Sequence, residues 1–142
     1  MAAGNMGRVF LIGTEREKKL LSIDSHNHIV DLRGRTDLQD LPILFDHCDV
    51  FVGNDSGPAH IAAAQNLELI LIASGTNDIR TWHPWTHRLH TVQHSVPCSP
   101  CEARVCPLGH HDCMEKIGAD RVLEILQAVL SKKKLEYRQN EA

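Results

Sequence analysis

A short turn between an apolar run and an alanine-rich segment carries the residues best suited to chemistry. The apolar run ends at Gly53, the turn Asn54-Asp-Ser-Gly57 follows, and Pro58 opens the next segment as a helix. The N–H groups in the first turn of a helix can bind an anion, and the helix dipole favours negative charge there. Ser56 can donate a hydroxyl hydrogen bond, and Gly57 leaves the backbone open to close approach. The pattern therefore predicts a diphosphate site at Ser56 and Gly57.

Two further side chains belong to this turn. The carboxylate of Asp55 is unsuited to touch a phosphate, since both are anionic, but it could cap the helix or accept hydrogen bonds from sugar hydroxyls. His60 lies in the first helical turn, where a ring nitrogen could donate into the same pocket. The alternative is purely structural, with an ordinary helix start and a packing histidine. The segment has neither a Gly-Lys-Ser/Thr loop nor a Gly-x-Gly-x-x-Gly pattern.

Cysteines are concentrated in one loop near the C-terminus. The loop over residues 97–113 contains Cys98, Cys101, Cys106 and Cys113. In a reducing compartment this spacing predicts a structural zinc site with four thiolate ligands, one of which His110 or His111 could replace. Reduced thiols, or disulfides formed after purification, are the alternative. Four thiolates leave no open coordination position, so we expect no catalytic metal.

Strands and helices alternate along the chain and position these groups. Apolar runs predict strands over 8–12, 28–32, 49–53, 69–73 and 89–92, and polar or amphipathic segments predict helices between them and at the end of the chain. The second helix is expected to start at Thr36 as N-cap and to run towards Cys48, with Pro42 kinking or delaying it. The alternation predicts an α/β fold with a doubly wound parallel sheet, which binds ligands at the carboxyl ends of its strands.

Composition narrows the classes of function. The chain has 142 residues, enough for one domain, and Lys+Arg 15 against Asp+Glu 18 gives a net charge of -3. This balance excludes a nucleic-acid binder that relies on a basic surface. No apolar run approaches the roughly 20 residues of a membrane span, and no secretory signal opens the chain, so we expect a cytoplasmic protein. Residues 1–7 are expected to be an unstructured start or an expression remnant, before a domain over 8–142.

The segment from Asn54 to Ala64, Asn-Asp-Ser-Gly-Pro-Ala-His-Ile-Ala-Ala-Ala, resembles the signature of glycosyltransferase family 9, the ADP-heptose:lipopolysaccharide heptosyltransferases. Other segments resemble the family in order: Val9 to Gly13 followed by Glu17, Gly34 to Leu38, Ile72 to Thr76, and the cysteine-containing tail. Ala73 and Ser74 depart from the family's Phe-Gly-Pro-Thr turn. The likeness covers residues 8–126, most of the chain.

This resemblance implies a Rossmann-like domain, the C-terminal half of a GT-B fold, which holds a nucleotide sugar such as ADP-heptose. By position, Asp55 would contact sugar hydroxyls, Ser56 and Gly57 would hold the diphosphate, and His60 would line the pocket. Glu17 would contact the ribose, and Thr36 would lie near the adenine. The acceptor would be a lipid-linked saccharide at the inner membrane, to which the full enzyme could bind peripherally. No cofactor is required for catalysis.

The family's catalytic base is an acidic residue of an N-terminal acceptor domain, which this sequence does not contain. The first strand of the donor domain, with a phosphate-neutralising lysine, would also have to precede Arg8. We therefore expect no catalytic residue in this chain, and no activity from it alone, although the complete protein would be an inverting glycosyltransferase. The alternatives are a non-catalytic nucleotide-binding module and a zinc-stabilised interaction domain.

Overall fold

The computed structural model describes residues 7–23 and 27–140, so most of the predicted start over 1–7 lies outside the described residues. The chain forms two compact units, one up to Leu44 and one from Phe45 onwards. Each unit has its own sheet, and the strands that pair in each are parallel. The predicted α/β class, with parallel strands flanked by helices, is confirmed.

The first unit contains two parallel strands joined through a helix. β1 (Val9–Leu11) pairs with β2 (Ile29–Asp31), and α1 (Glu15–Leu20) follows β1. Thr14 and Glu17 form a capping box at the start of α1. The Glu17 carboxylate accepts hydrogen bonds from the backbone N–H and the hydroxyl of Thr14 at 2.6 and 2.7 Å, which fixes where the helix begins.

The second helix is shorter than the sequence suggested. α2 spans Leu41–Phe45, and Thr36 lies in the preceding loop, so its predicted role as N-cap is wrong. Pro42 explains the difference, because proline lacks an N–H and clashes with the preceding turn, and is therefore tolerated only at the start of a helix. The predicted delay is confirmed. A turn ahead of α2 is closed by the N–H of Asp37, which donates to the Asp40 carboxylate at 2.8 Å.

A buried arginine follows β2. The Arg33 side chain donates to both carboxylate oxygens of Asp31, at 2.9 and 3.0 Å, and to the carbonyl of Leu21 at 2.9 Å. A buried guanidinium requires such partners, because desolvation disfavours an unpaired charge. Hydrogen bonds from the Arg33 side chain and backbone lower the pKa of Asp31 to about 2. This ion pair is the main polar feature in the interior of the first unit.

The second unit has a three-stranded sheet in the order β3-β4-β5. Its strands are β3 (Val50–Asn54), β4 (Glu68–Ala73) and β5 (Leu89–Gln93), and its helices are α3 (Gly57–Ala64), α4 (Ile79–Trp82), α5 (Asp112–Glu115) and α6 (Ala119–Asn140). Leu69, Ile70 and Leu71 of β4 are completely buried. Because successive strand residues point to opposite faces, both faces of β4 are covered.

Two helices pack on this sheet. α3 contacts β3 and β4, and α6 contacts β4 and β5. The apolar stripe of α6 places Val129 in the core. Further along, Lys133 lies 3.2 Å from the Asp49 carboxylate, and the Tyr137 hydroxyl lies 3.5 Å from the same oxygen. The final helix is therefore tied to the start of β3 by polar contacts as well as by packing.

Two observations concern the helices and the exposed aromatic surface of the described residues. None of the helices there combines the length and the apolar composition that a bilayer crossing requires. Trp85, which follows α4, has 94% of its surface exposed and does not cover the core.

We expect the Asp31–Arg33 ion pair to make stability depend on pH in acid. The folded-state pKa of Asp31 is lowered, so its stabilising contribution is present above the ordinary aspartate pKa of about 3.9. It is lost as pH falls towards about 2, where folded Asp31 takes up its proton. Urea unfolding of Asp31→Asn between pH 2 and 6 should therefore show a shallower loss of stability than wild type. Asp46→Asn, the same change outside this ion pair, is the control, and equal slopes for wild type and Asp31→Asn would contradict the expectation.

Candidate functional site

The carboxyl ends of β3 and β4 border a cavity. The two strands are parallel neighbours, with Asn54 paired to Ile72, so both chains leave the sheet at the same edge. A cavity of about 230 Å³ opens there. Its lining residues come from the strand ends, the turns that follow them, α4 and α5, and are Asn54, Asp55, Ile72, Ala73, Ser74, Asn77, Ile79 and Met114. This is the edge at which doubly wound sheets bind ligands.

The turn after β3 has an exposed face at the start of α3. Ser56 is the N-cap, and Pro58 lies in the first turn as predicted. The Ser56 hydroxyl donates to the carbonyl of Asn54 at 3.2 Å, and no side chain caps the helix. A β-carbon added to Gly57 would meet no atom within 4 Å. The backbone at Gly57 is therefore open to a ligand.

The N–H groups available for an anion are fewer than a generic helix start would offer. Those of Ala59 and His60 both donate to the carbonyl of Ser56, at 3.0 and 3.4 Å, and Pro58 has none. The backbone N–H groups of Ser56 and Gly57 thus remain for a ligand in this described turn. Two N–H groups at the positive end of the α3 dipole can bind one phosphate group.

Asp55 links the cavity to this exposed face. Asp55 lines the cavity, and its carboxylate lies 3.6 Å from Nε2 of His60. The Asp55 side chain is 19% exposed and that of His60 is 53% exposed. His60 does not line the cavity itself but lies beside it, next to Asp55. A carboxylate held in this way can accept hydrogen bonds from the hydroxyls of a ligand in the cavity.

The other two predicted site residues belong to the first unit. The Glu17 carboxylate is engaged by Thr14, and the backbone hydrogen bond from Thr14 lowers the pKa of Glu17. Thr36 is half-buried in the loop before α2. Their predicted contacts with the ribose and the adenine stay predictions.

Several cavity residues were not predicted as site residues. Ser74 belongs to the turn after β4, to which the rule for strand ends in parallel sheets points, and Asn77 lies just beyond that turn and could have been found by extending the rule. Met114 gave no such signal, since the cysteine-rich loop has no periodic pattern and its course cannot be read from spacing.

The cysteine-rich loop does not present a formed metal site. Across residues 7–23 and 27–140, no three histidine, cysteine or acidic side chains converge to hold an ion. Nδ1 of His110 accepts the N–H of Asp112 at 2.9 Å, which leaves the proton of the neutral ring on Nε2, 3.7 Å from the sulfur of Cys98. In this geometry His110 has no free lone pair for a metal. Zinc at the four cysteines stays a prediction.

Cys106 lies in a turn that favours its thiolate. The N–H groups of residues 108–111 point to its sulfur, that of His111 contributing most, and they lower the pKa of the Cys106 thiol. Cys48 is the opposite case, because burial and the nearby charge of Asp49 raise the pKa of its thiol. The two thiols therefore differ in reactivity in the metal-free protein.

Comparison with known proteins identifies relatives of one kind. A sequence profile described as glycosyltransferase family 9 (heptosyltransferase) matches residues 3–111. The chain is 32% identical to lipooligosaccharide heptosyltransferase 2 of Campylobacter jejuni over 97 residues, which are 68% of this chain and 30% of that protein. It is 41% identical to lipopolysaccharide heptosyltransferase 3 of Escherichia coli over 61 residues, 43% of this chain and 18% of that protein.

Solved structures give the same result. The fold is similar to that of the E. coli ADP-heptose lps heptosyltransferase II, with a TM-score of 0.68 and 25% identity, over 89% of this chain and 37% of that chain. A glycosyl transferase family 9 protein from Veillonella parvula has a TM-score of 0.71 at 13% identity, over 88% and 37% of the two chains, and supports the fold alone. The chain thus spans about a third of the length of these relatives.

We expect Cys106 to be alkylated before Cys48. At neutral pH its lowered pKa gives a larger thiolate fraction, and the advantage should shrink only at a pH above the ordinary thiol pKa of about 8.5, because the raised pKa of Cys48 delays its ionisation. Timed iodoacetamide labelling of chelator-treated protein, read by peptide mass spectrometry, measures both rates. Equal labelling of the two cysteines at pH 7 would contradict the expected difference.

Proposed function

The chain belongs to glycosyltransferase family 9, and on that premise we propose that it is the donor-binding, C-terminal half of a GT-B heptosyltransferase of lipopolysaccharide biosynthesis. The observation that carries the proposal is the corner between β3 and α3. There Asp55, which lines a cavity, adjoins an exposed helix start with open backbone at Gly57. This arrangement suits a sugar joined to a diphosphate.

The proposed donor is ADP-heptose or a related nucleotide sugar. One phosphate group of its diphosphate would lie against the N–H groups of Ser56 and Gly57, and Asp55 would accept hydrogen bonds from the sugar hydroxyls. In the inverting reaction, an acceptor hydroxyl attacks the anomeric carbon while the bond from that carbon to the diphosphate oxygen breaks. Negative charge develops on the departing ADP, and the positive end of the α3 dipole stabilises it.

The base that takes the proton from the acceptor hydroxyl would belong to the acceptor domain. The proposed acceptor is a lipid-linked saccharide, so the full enzyme would act at the cytoplasmic face of the inner membrane. No cofactor would take part in the chemistry.

Zinc at Cys98, Cys101, Cys106 and Cys113 remains a separate structural proposal. It is tested by metal analysis of protein purified without chelators, and by asking whether the four thiols become reactive only after a chelator is added.

Nucleotide binding by the purified chain tests the proposal. We expect ADP and ADP-heptose to shift the amide NMR signals of Asp55, Ser56, Gly57 and His60. Gly57→Ala should weaken binding of both ligands by about tenfold or more, because the new methyl group occupies the face that the diphosphate approaches. The fold should be unaffected, since the added β-carbon meets nothing within 4 Å and alanine is favoured in helices.

Gly118→Ala is the matched control, since its β-carbon also meets nothing within 4 Å and the residue lies outside the cavity. Binding equal to wild type in Gly57→Ala would remove the diphosphate from this corner. Absence of any nucleotide binding by the wild-type chain would favour an interaction domain instead.

We also expect the 142-residue chain to transfer no heptose by itself, because we assign the base and the acceptor site to the acceptor domain of the full enzyme. An assay with ADP-heptose and a lipid-linked acceptor saccharide should show no product above background. Product formed by the isolated chain would show that a catalytic base is present within these residues.

A further inference from the structure

We propose that Met114, held by the cysteine-rich loop, forms the outer wall of a sugar subsite in the cavity and limits the size of the sugar that the donor carries. This inference rests on the proposed function, since it assigns a part of the donor to the cavity beside Asp55. It adds a specificity-determining residue from a segment more than fifty positions further along the sequence than the β3–α3 corner.

The loop is fastened to the turn that follows β4. The N–H of Cys101 donates to the carbonyl of Gly75 at 3.1 Å, and the N–H of Glu102 donates to the carbonyl of Thr76 at 2.9 Å. These bonds join main chain to main chain, so they position the loop whatever its side chains. The turn after β4 is itself held by Gln93, whose side-chain amide donates to the carbonyl of Ser74 at 3.0 Å.

Close packing at Gly75 brings the end of the loop to the cavity. A β-carbon at Gly75 would lie 3.0 Å from the β-carbon of Cys113 and 3.3 Å from that of Ser99. Space at Gly75 is tight, since the segment carrying Cys113 rests directly on the turn and would have to move slightly to admit a β-carbon. The next residue, Met114, lines the cavity. The short helix α5 that carries it is closed by the N–H of Met114, which donates to the carbonyl of His111 at 2.9 Å.

The cavity walls suit a neutral sugar. Polar groups come from Asn54, Asp55, Ser74 and Asn77, and apolar surface comes from Ile72, Ala73, Ile79 and Met114. A sugar ring presents hydroxyls at its edge and C–H groups on its faces, so it matches both kinds of wall. Among these lining residues Asp55 is the charged one and no cation accompanies it, so a second phosphate or an acidic sugar would be repelled.

Met114 is therefore placed to sense the bulk of the sugar, whereas the diphosphate lies at Ser56 and Gly57, outside the cavity wall. A larger side chain at position 114 should shorten the subsite without touching the diphosphate. A change at position 114 should therefore alter the affinity for the sugar nucleotide and leave the affinity for the nucleotide alone unchanged.

The test compares the dissociation constants of ADP, ADP-mannose and ADP-heptose for variants of the purified chain, measured by calorimetry. We expect Met114→Phe to weaken ADP-heptose binding by about tenfold or more, as misplaced bulk in a pocket does, and to change ADP binding by less than about twofold. Met114→Ala should reduce the discrimination between ADP-mannose and ADP-heptose. Met114→Leu, which keeps the volume, should behave as wild type.

Leu108→Phe makes a similar change in the same loop at an exposed residue outside the cavity and is the matched control. Gly75→Ala is a second test of the subsite. The added methyl group should push Cys113, and with it the neighbouring Met114, away and so lower the preference for ADP-heptose over ADP. Gly118→Ala is its control. If wild type binds none of the three nucleotides, the proposed function itself fails. A different result overturns the sugar subsite alone. In that case wild type binds ADP-heptose, but the Met114 and Gly75 variants change the binding of ADP and of ADP-heptose equally or not at all, and the proposed donor site is retained.

Discussion

The parallel pairing of β3 with β4 is the constraint on which the candidate site of the second unit depends. Since Asn54 is paired with Ile72, both strands end at one edge, and the chain must turn away there twice. The first turn starts α3 and exposes backbone at Gly57, and the second receives the cysteine-rich loop at Gly75. The cavity lies between these two turns, at the edge of the sheet where parallel strands bind ligands.

Much of this arrangement could be predicted from the sequence, because its signals are local. The apolar runs of β3 and β4 and the position of Pro58 specify a strand, a turn and a helix start within a few residues of one another. The second helix shows how a local signal can be misread. Threonine is a favourable N-cap residue, which is why Thr36 was expected to start the helix. The restriction that Pro42 places on the preceding turn outweighs this preference.

Features built from segments that are distant in the sequence could not be predicted from the sequence. The course of the loop that brings Met114 to the cavity is set by hydrogen bonds from Cys101 and Glu102 to a turn 26 residues earlier, and residue spacing does not indicate such a contact. The helix start offers a subtler example. Its composition indicated an anion site, yet how many N–H groups remain for a ligand depends on the bonds that Ala59 and His60 make to Ser56.

The attachment of α6 has a consequence for the synthesis of the protein. Its stripe packs on β4 and β5, and Lys133 reaches back to Asp49, 84 positions earlier in the chain. The ribosome therefore releases the sheet strands well before the element that covers them, and contacts of such long sequence separation form late. Until α6 emerges, apolar strand surface is open to chaperones and to neighbouring nascent chains, so the second unit reaches its native packing only after this helix has been translated.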